Sequence, residues 1–113
     1  MHELALTQSI LDIALAEAAK HRAARVLEIC IKAGALAGVL PELIQEYFNI
    51  VSAGTAAEGA LLTVEKLPAV ITCLDCGAEN ETQGFIFTCP VCNSNNIKLL
   101  KGREFYVYSL EAE

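Results

Sequence analysis

The first twenty residues carry an apolar arc of helical period. Leu4, Leu6, Ile10, Leu11, Ile13, Ala14, Leu15 and Ala18 fall on one broad side, with Gln8, Ser9, Asp12 and Lys20 opposite. A helix over 3–21 is predicted, packed against another layer, most simply a sheet. The period then changes to two: over 25–33, Leu27, Ile29 and Ile31 share one strand face, and Glu28, Cys30 and Lys32 the other. Gly34 and Gly38 punctuate the loop that follows. Pro41 suits the first position of a second helix, because its fixed φ is already helical and its missing N–H is not needed there. Leu43, Ile44, Tyr47, Phe48 and Val51 form the stripe of that helix, and Gly54 is a natural stop. Further strands are predicted at about 60–66, ending near Pro68, and at 103–110, rich in Tyr, Phe and Val.

Between those last two strands the pattern breaks down. Residues 69–101 carry Asn, Thr, Ser and Gly and contain two Cys-x-x-Cys pairs. A segment of about 33 residues cannot bury a useful core unaided, so a metal must hold it. The expected fold class is α+β: two helices packed on a small, mostly three-stranded β-sheet, with an inserted four-cysteine, zinc-ribbon-like domain. Residues 1–68 and 102–113 would form the α+β domain, and 69–101 the inserted one.

The cysteines supply the chemistry. Cys73-Leu74-Asp75-Cys76-Gly77 and Cys89-Pro90-Val91-Cys92-Asn93 are two knuckles in which a tight turn points both sulfurs at one ion. Gly77, and Asn93 in the equivalent place, tolerate the left-handed backbone such turns need. A short hairpin around Gly84-Phe85-Ile86-Phe87 would bring the knuckles together. A saturated shell of four thiolates leaves no open position for catalysis, which favours structural zinc. Iron is the competitor, since similar knuckles occur in rubredoxin, but aromatic shielding is sparse. The fifth cysteine, Cys30, reads as a small side chain covering sheet surface, and neither His21 nor His2 stands out as its partner in a catalytic pair.

Composition narrows the setting. The chain has 113 residues and a formal charge of -6. No apolar run approaches the roughly 18 residues needed to cross a bilayer, so membrane insertion is not expected. The N-terminus lacks the basic start and cleavage site of a signal peptide, from which a cytoplasmic location is expected, where paired cysteines bind metal rather than form disulfides. Within 69–101, Lys98 and Lys101 against Asp75, Glu79 and Glu81 leave a net charge of -1. That falls to about -3 once four thiolates hold a divalent ion. No basic stripe interleaved with aromatics is present, which argues against nucleic-acid binding, otherwise a common use of zinc ribbons. A protein-interaction module is the other role such a ribbon could serve. An open catalytic zinc or an iron redox centre would need features that do not occur.

The other end of the chain carries a second chelating pattern. The Met1 amine, the amide nitrogen of His2 and the His2 Nδ1 can close fused five- and six-membered rings on one metal, with Glu3 adding an oxygen or its own nitrogen. Such a nitrogen-rich site suits Ni(II) or Cu(II).

Taken together, Met1-His2-Glu3-Leu4-Ala5-Leu6, Ile31-Lys32-Ala33-Gly34, Gly38-Val39-Leu40-Pro41-Glu42 and the two knuckles resemble the HypA/HybF family over essentially the full length. That family comprises nickel-delivery accessory proteins for maturation of [NiFe]-hydrogenase and, in some bacteria, urease. The resemblance implies a nickel metallochaperone rather than an enzyme, with Ni2+ as transported cargo and Zn2+ as a structural ion. It implies His2 as the nickel ligand, supported by Met1 and Glu3, and Cys73, Cys76, Cys89 and Cys92 as zinc ligands. It also implies the GTPase HypB as partner and the hydrogenase large-subunit precursor as recipient. The wide apolar arc of 3–21 and free strand edges permit a homodimer.

Overall fold

A computed structural model describes residues 3–82 and 87–113. Helix α1 spans Glu3–Lys20 and buries Thr7, Ile10, Leu11, Ala14 and Ala18, a stripe of three- and four-residue steps. The apolar arc read from the sequence is wider than this stripe: Leu4 and Ile13 lie on its flanks, 54% and 47% exposed. Thr7 takes a place in the buried stripe because its hydroxyl donates to the Leu4 carbonyl at 2.8 Å and carries no unmet polarity inward. The helix closes through Arg22, whose φ of 57° is left-handed, with the Ala23 N–H donating to the Ala18 carbonyl at 2.8 Å.

Helix α2, Pro41–Val51, starts at the proline and buries Ile44 and Phe48, four residues apart. The two helices pack against each other. Gln45 ties α2 to the next element. Its side-chain oxygen accepts the Leu62 N–H at 2.8 Å, and its nitrogen donates to the Ala60 carbonyl at 3.3 Å.

The strands form two sheets. In the first, β1 (Val26–Gly34) lies between β2 (Leu61–Leu67) and β6 (Phe105–Ala112). Ile29 and Ile31 are buried as their alternation predicts, whereas Leu27 is exposed. In the second, β3 (Ala69–Cys73) lies between β4 (Glu79–Thr82) and β5 (Ile97–Lys101), antiparallel to both. The simple hairpin expected around Gly84–Phe87 falls mostly outside the described residues. Gly84, Phe85 and Ile86 lie outside the described residues, and Phe87 is in no strand. The β-branched run of β3 pairs Val70 with Glu81 and Ile71 with Asn80 on one side, and Ile71 with Leu99 and Cys73 with Ile97 on the other.

The chain divides into two compact units. One takes the residues up to Lys32, then Val39–Glu65 and Tyr106–Glu113; the other takes Ala33–Gly38 and the described part of Lys66–Phe105. The core of the first unit contains Ile10, Leu11, Val26, Ile29, Ile31, Ile44 and Phe48. In the second unit the segment Ala33–Gly38 is sewn to the strand ends: Gly34 N–H donates to the Glu104 carbonyl at 2.7 Å, Ala35 N–H to Leu67 at 2.8 Å and Leu36 N–H to Gly102 at 2.7 Å. Gly34 is required by space, since a Cβ there would collide with the Gly102 carbonyl and the Glu104 carboxylate. Among the described residues, no helix is long and apolar enough to cross a membrane.

Candidate metal centre

Strand β3 ends on Cys73, which delivers the first sulfur from a hydrogen-bonded ladder rather than from a free loop. The backbone then turns. Gly77 N–H donates to the Cys73 carbonyl at 2.9 Å, Cys73 N–H donates to the Ala78 carbonyl at 2.9 Å, and Cys76 N–H reaches the Cys73 Sγ at 3.4 Å. The second knuckle repeats the pattern bond for bond. Asn93 N–H donates to Cys89 at 2.8 Å, Cys89 N–H donates to Ser94 at 2.8 Å, and Cys92 N–H reaches the Cys89 Sγ at 3.5 Å. Gly77 and Asn93 both hold left-handed φ values, 78° and 63°, so the backbone freedom expected of them is used.

The first cysteine of each knuckle is buried and the second exposed. The four sulfurs lie within 4.8 Å of one another, with Cys73 3.5 Å from Cys92 and Cys76 3.6 Å from Cys89. These separations are too long for a disulfide, about 2.05 Å. They fit a tetrahedron about a divalent ion, whose edge is about 3.8 Å for metal–sulfur bonds of about 2.3 Å. The donor set therefore fits one closed, zinc-ribbon-like metal site.

Electrostatics explain why a cation belongs there. The Cys76 N–H, ahead of the Asp75 N–H, holds the Cys73 thiol down to about 7 against burial. The Cys92 N–H likewise lowers the Cys89 thiol. The partner thiols go the other way. The Ser94 N–H pulls Cys92 down, but the neighbouring Cys73 sulfur and burial outweigh it and push that thiol up to about 12. Cys76 is also raised, because burial and the Cys89 and Cys73 sulfurs oppose the Ala78 N–H. Four adjacent sulfurs cannot all ionise without a cation between them.

Three residues around the knuckles were missed in the sequence. Asp75 accepts hydrogen bonds from the Ser94 hydroxyl and, at 3.2 Å, from the Asn96 side-chain amide. These two donors, Ser94 first, lower its carboxyl below the ordinary 3.8. Nothing in the local pattern singles them out, since Asp, Ser and Asn are ordinary loop residues.

Of the other candidates, Glu3 is the half-buried first residue of α1, whereas Met1 and His2 lie outside the described residues. Cys30 is half-buried on the polar face of β1. On that face Lys32 stands 4.4 Å over the Tyr108 ring and 3.8 Å from Glu65. His21 lies at the surface, 3.5 Å from Glu17.

A family described as "Hydrogenase/urease nickel incorporation, metallochaperone, hypA" matches residues 1–112. The hydrogenase maturation factor HypA of Caldanaerobacter subterraneus subsp. tengcongensis is 38% identical over 114 residues, covering 100% of both chains. That of Aquifex aeolicus is 36% identical over 113 residues, covering 100% of this chain and 98% of the relative. Among solved structures, the solution structure of the Ni metallochaperone HypA from Helicobacter pylori superposes with a TM-score of 0.69 at 21% identity, covering 99% of this chain and 97% of that one. A further solution structure of HypA reaches a TM-score of 0.74, also at 21% identity. At that identity the likeness speaks to the fold.

Proposed function

This chain belongs to the HypA family, and from that premise we propose that it binds Ni(II) at Met1-His2-Glu3 and delivers it during maturation of [NiFe]-hydrogenase, while Cys73, Cys76, Cys89 and Cys92 hold a structural zinc. The observation that carries the reading is the family match over residues 1–112, which takes in the N-terminal chelating pattern and both knuckles together. The nickel-binding part would be 1–68 with 102–113, and the zinc-binding part 69–101. The sites divide the labour by coordination chemistry. A shell of four thiolates is saturated, so its ion stays. A terminal amine and imidazole form an open set that an incoming ligand can displace one donor at a time, so its ion leaves. By family, the GTPase HypB is the partner on the nickel side and the hydrogenase large-subunit precursor the recipient.

The test is metal content of untagged protein after nickel addition, alongside titration calorimetry. His2→Ala should lose stoichiometric nickel while keeping one zinc per chain and an unchanged circular-dichroism spectrum. Wild-type nickel affinity in that variant would refute the site. Residues added before Met1 should weaken binding, because they convert the amine donor to an amide.

A further inference from the structure

The two knuckles are separated in sequence, and side-chain contacts join them outside the sulfurs in addition to the pairing of β3 with β5. Asp75 sits inside the first knuckle, between Cys73 and Cys76. Its two carboxylate oxygens accept separately, one from the Ser94 hydroxyl and the other from the Asn96 amide, both just past Cys92. The donors are themselves fixed. Asn96 N–H donates to the Ser94 Oγ at 3.0 Å, and the Ser94 carbonyl accepts the Cys89 N–H at 2.8 Å. Leu74 N–H donates to the Asn96 carbonyl at 2.9 Å, so Asn96 grips the first knuckle through backbone and side chain together.

We propose that Asp75, Ser94 and Asn96 form a clasp that positions one knuckle against the other and thereby sets how slowly the site gives up its metal. This rests on the reading that the four thiolates hold a structural ion. Release requires the knuckles to part. While the clasp holds, a knuckle that has let go stays at high effective concentration beside the ion and rebinds. The three side chains are positioning residues and touch no metal.

The test uses full-length protein loaded with zinc and mixed with excess chelating dye, the release rate being read by absorbance. Asp75→Ala, Ser94→Ala and Asn96→Ala should each speed release, with about a tenfold effect for Asp75→Ala, as expected for two hydrogen bonds lost at an exposed position. Ser94→Ala leaves the Asp75 charge in place, so its effect separates the clasp from simple electrostatics. The Asp75→Ala/Ser94→Ala double variant should release zinc little faster than the faster single variant, because the two act through one contact. The visible spectrum of cobalt(II)-loaded variants should match wild type, showing an intact tetrahedral thiolate site. Rates within about twofold of wild type, no effect of Ser94→Ala, or additive effects in the double variant would overturn the clasp. Failure of the wild-type chain to take up zinc or cobalt at the thiolates would instead overturn the reading beneath it.

Discussion

The two units of this molecule stand on different physics. The first buries branched and aromatic side chains from α1, α2 and β1, among them Ile10, Ile29, Ile31, Ile44 and Phe48, all at most 1% exposed. In the second, Leu36 and Ile71 are the large buried aliphatics among the described residues; Ala33, Ala37 and Ala69 are small, and Cys73 and Cys89 belong to the four-cysteine cluster. One core excludes water by volume. The other is a thin apolar layer beside a four-cysteine cluster able to hold an ion. Hydrophobic burial is spread over many contacts and degrades gradually, whereas coordination is concentrated in one place and fails at once.

Metal removal should break the comparison most widely. Structural zinc in small domains is worth about 10–16 kcal/mol of apparent binding energy, so chelation or Cys89→Ser should abolish the structure of the second unit. Hydrogen exchange would show β3 and β5 amides losing protection while α1 and α2 keep theirs; uniform loss throughout would mean the first unit is not self-supporting. Phe48→Ala is the converse. It should cost about 3–5 kcal/mol in urea unfolding of zinc-loaded protein, with zinc content unchanged. Gly34→Ala comes next, at about 1–3 kcal/mol, because its methyl meets backbone that cannot swing aside. Exchange of the Leu36 amide, bonded to Gly102, is the local readout. Arg25→Ala removes an exposed ion pair with Glu113 and should shift stability by no more than about 1 kcal/mol, less in high salt.

The smallest expected effect is a constancy. A carboxyl held low in the folded chain stabilises fully above its ordinary value, 3.8 for Asp75, and loses that contribution only as pH falls through the lowered one. The ratio of zinc-release rates between Asp75→Ala and wild type should therefore not change between about pH 6 and pH 8. Thiolate protonation accelerates release in both proteins as pH falls. A ratio that collapses toward the acid end would remove Asp75 from the clasp.

Much of this molecule was readable before any fold was known, and the readable parts share a property. The helix at Pro41–Val51, the alternation of Ile29 and Ile31, and the two knuckles are each defined by residues within a few positions of one another. The failures also share one. Leu4 and Ile13 belong to the apolar arc of α1 yet stay exposed, because period shows which residues share a side, not how far the neighbouring layer reaches. Strand β3 went unpredicted although Ala69-Val70-Ile71-Thr72 is a fair strand sequence, since a strand exists only through partners and both of its partners come later in the chain.

What the sequence by itself determined is therefore local: four cysteines in two knuckles, with Gly77 and Asn93 at their left-handed turns. Spacing of two residues fixes bite geometry without reference to the rest of the chain. Only the tertiary structure decided that Ala33–Gly38 belongs with the four-cysteine unit, that Gly34 has no room for a methyl group, and that Asp75 reaches Ser94 and Asn96. Asp75 and Ser94 are nineteen positions apart, and Gly34 and Gly102 are separated by most of the chain. Backbone preference and side-chain period decay within a turn or two, so contacts at that range are set by how the elements pack.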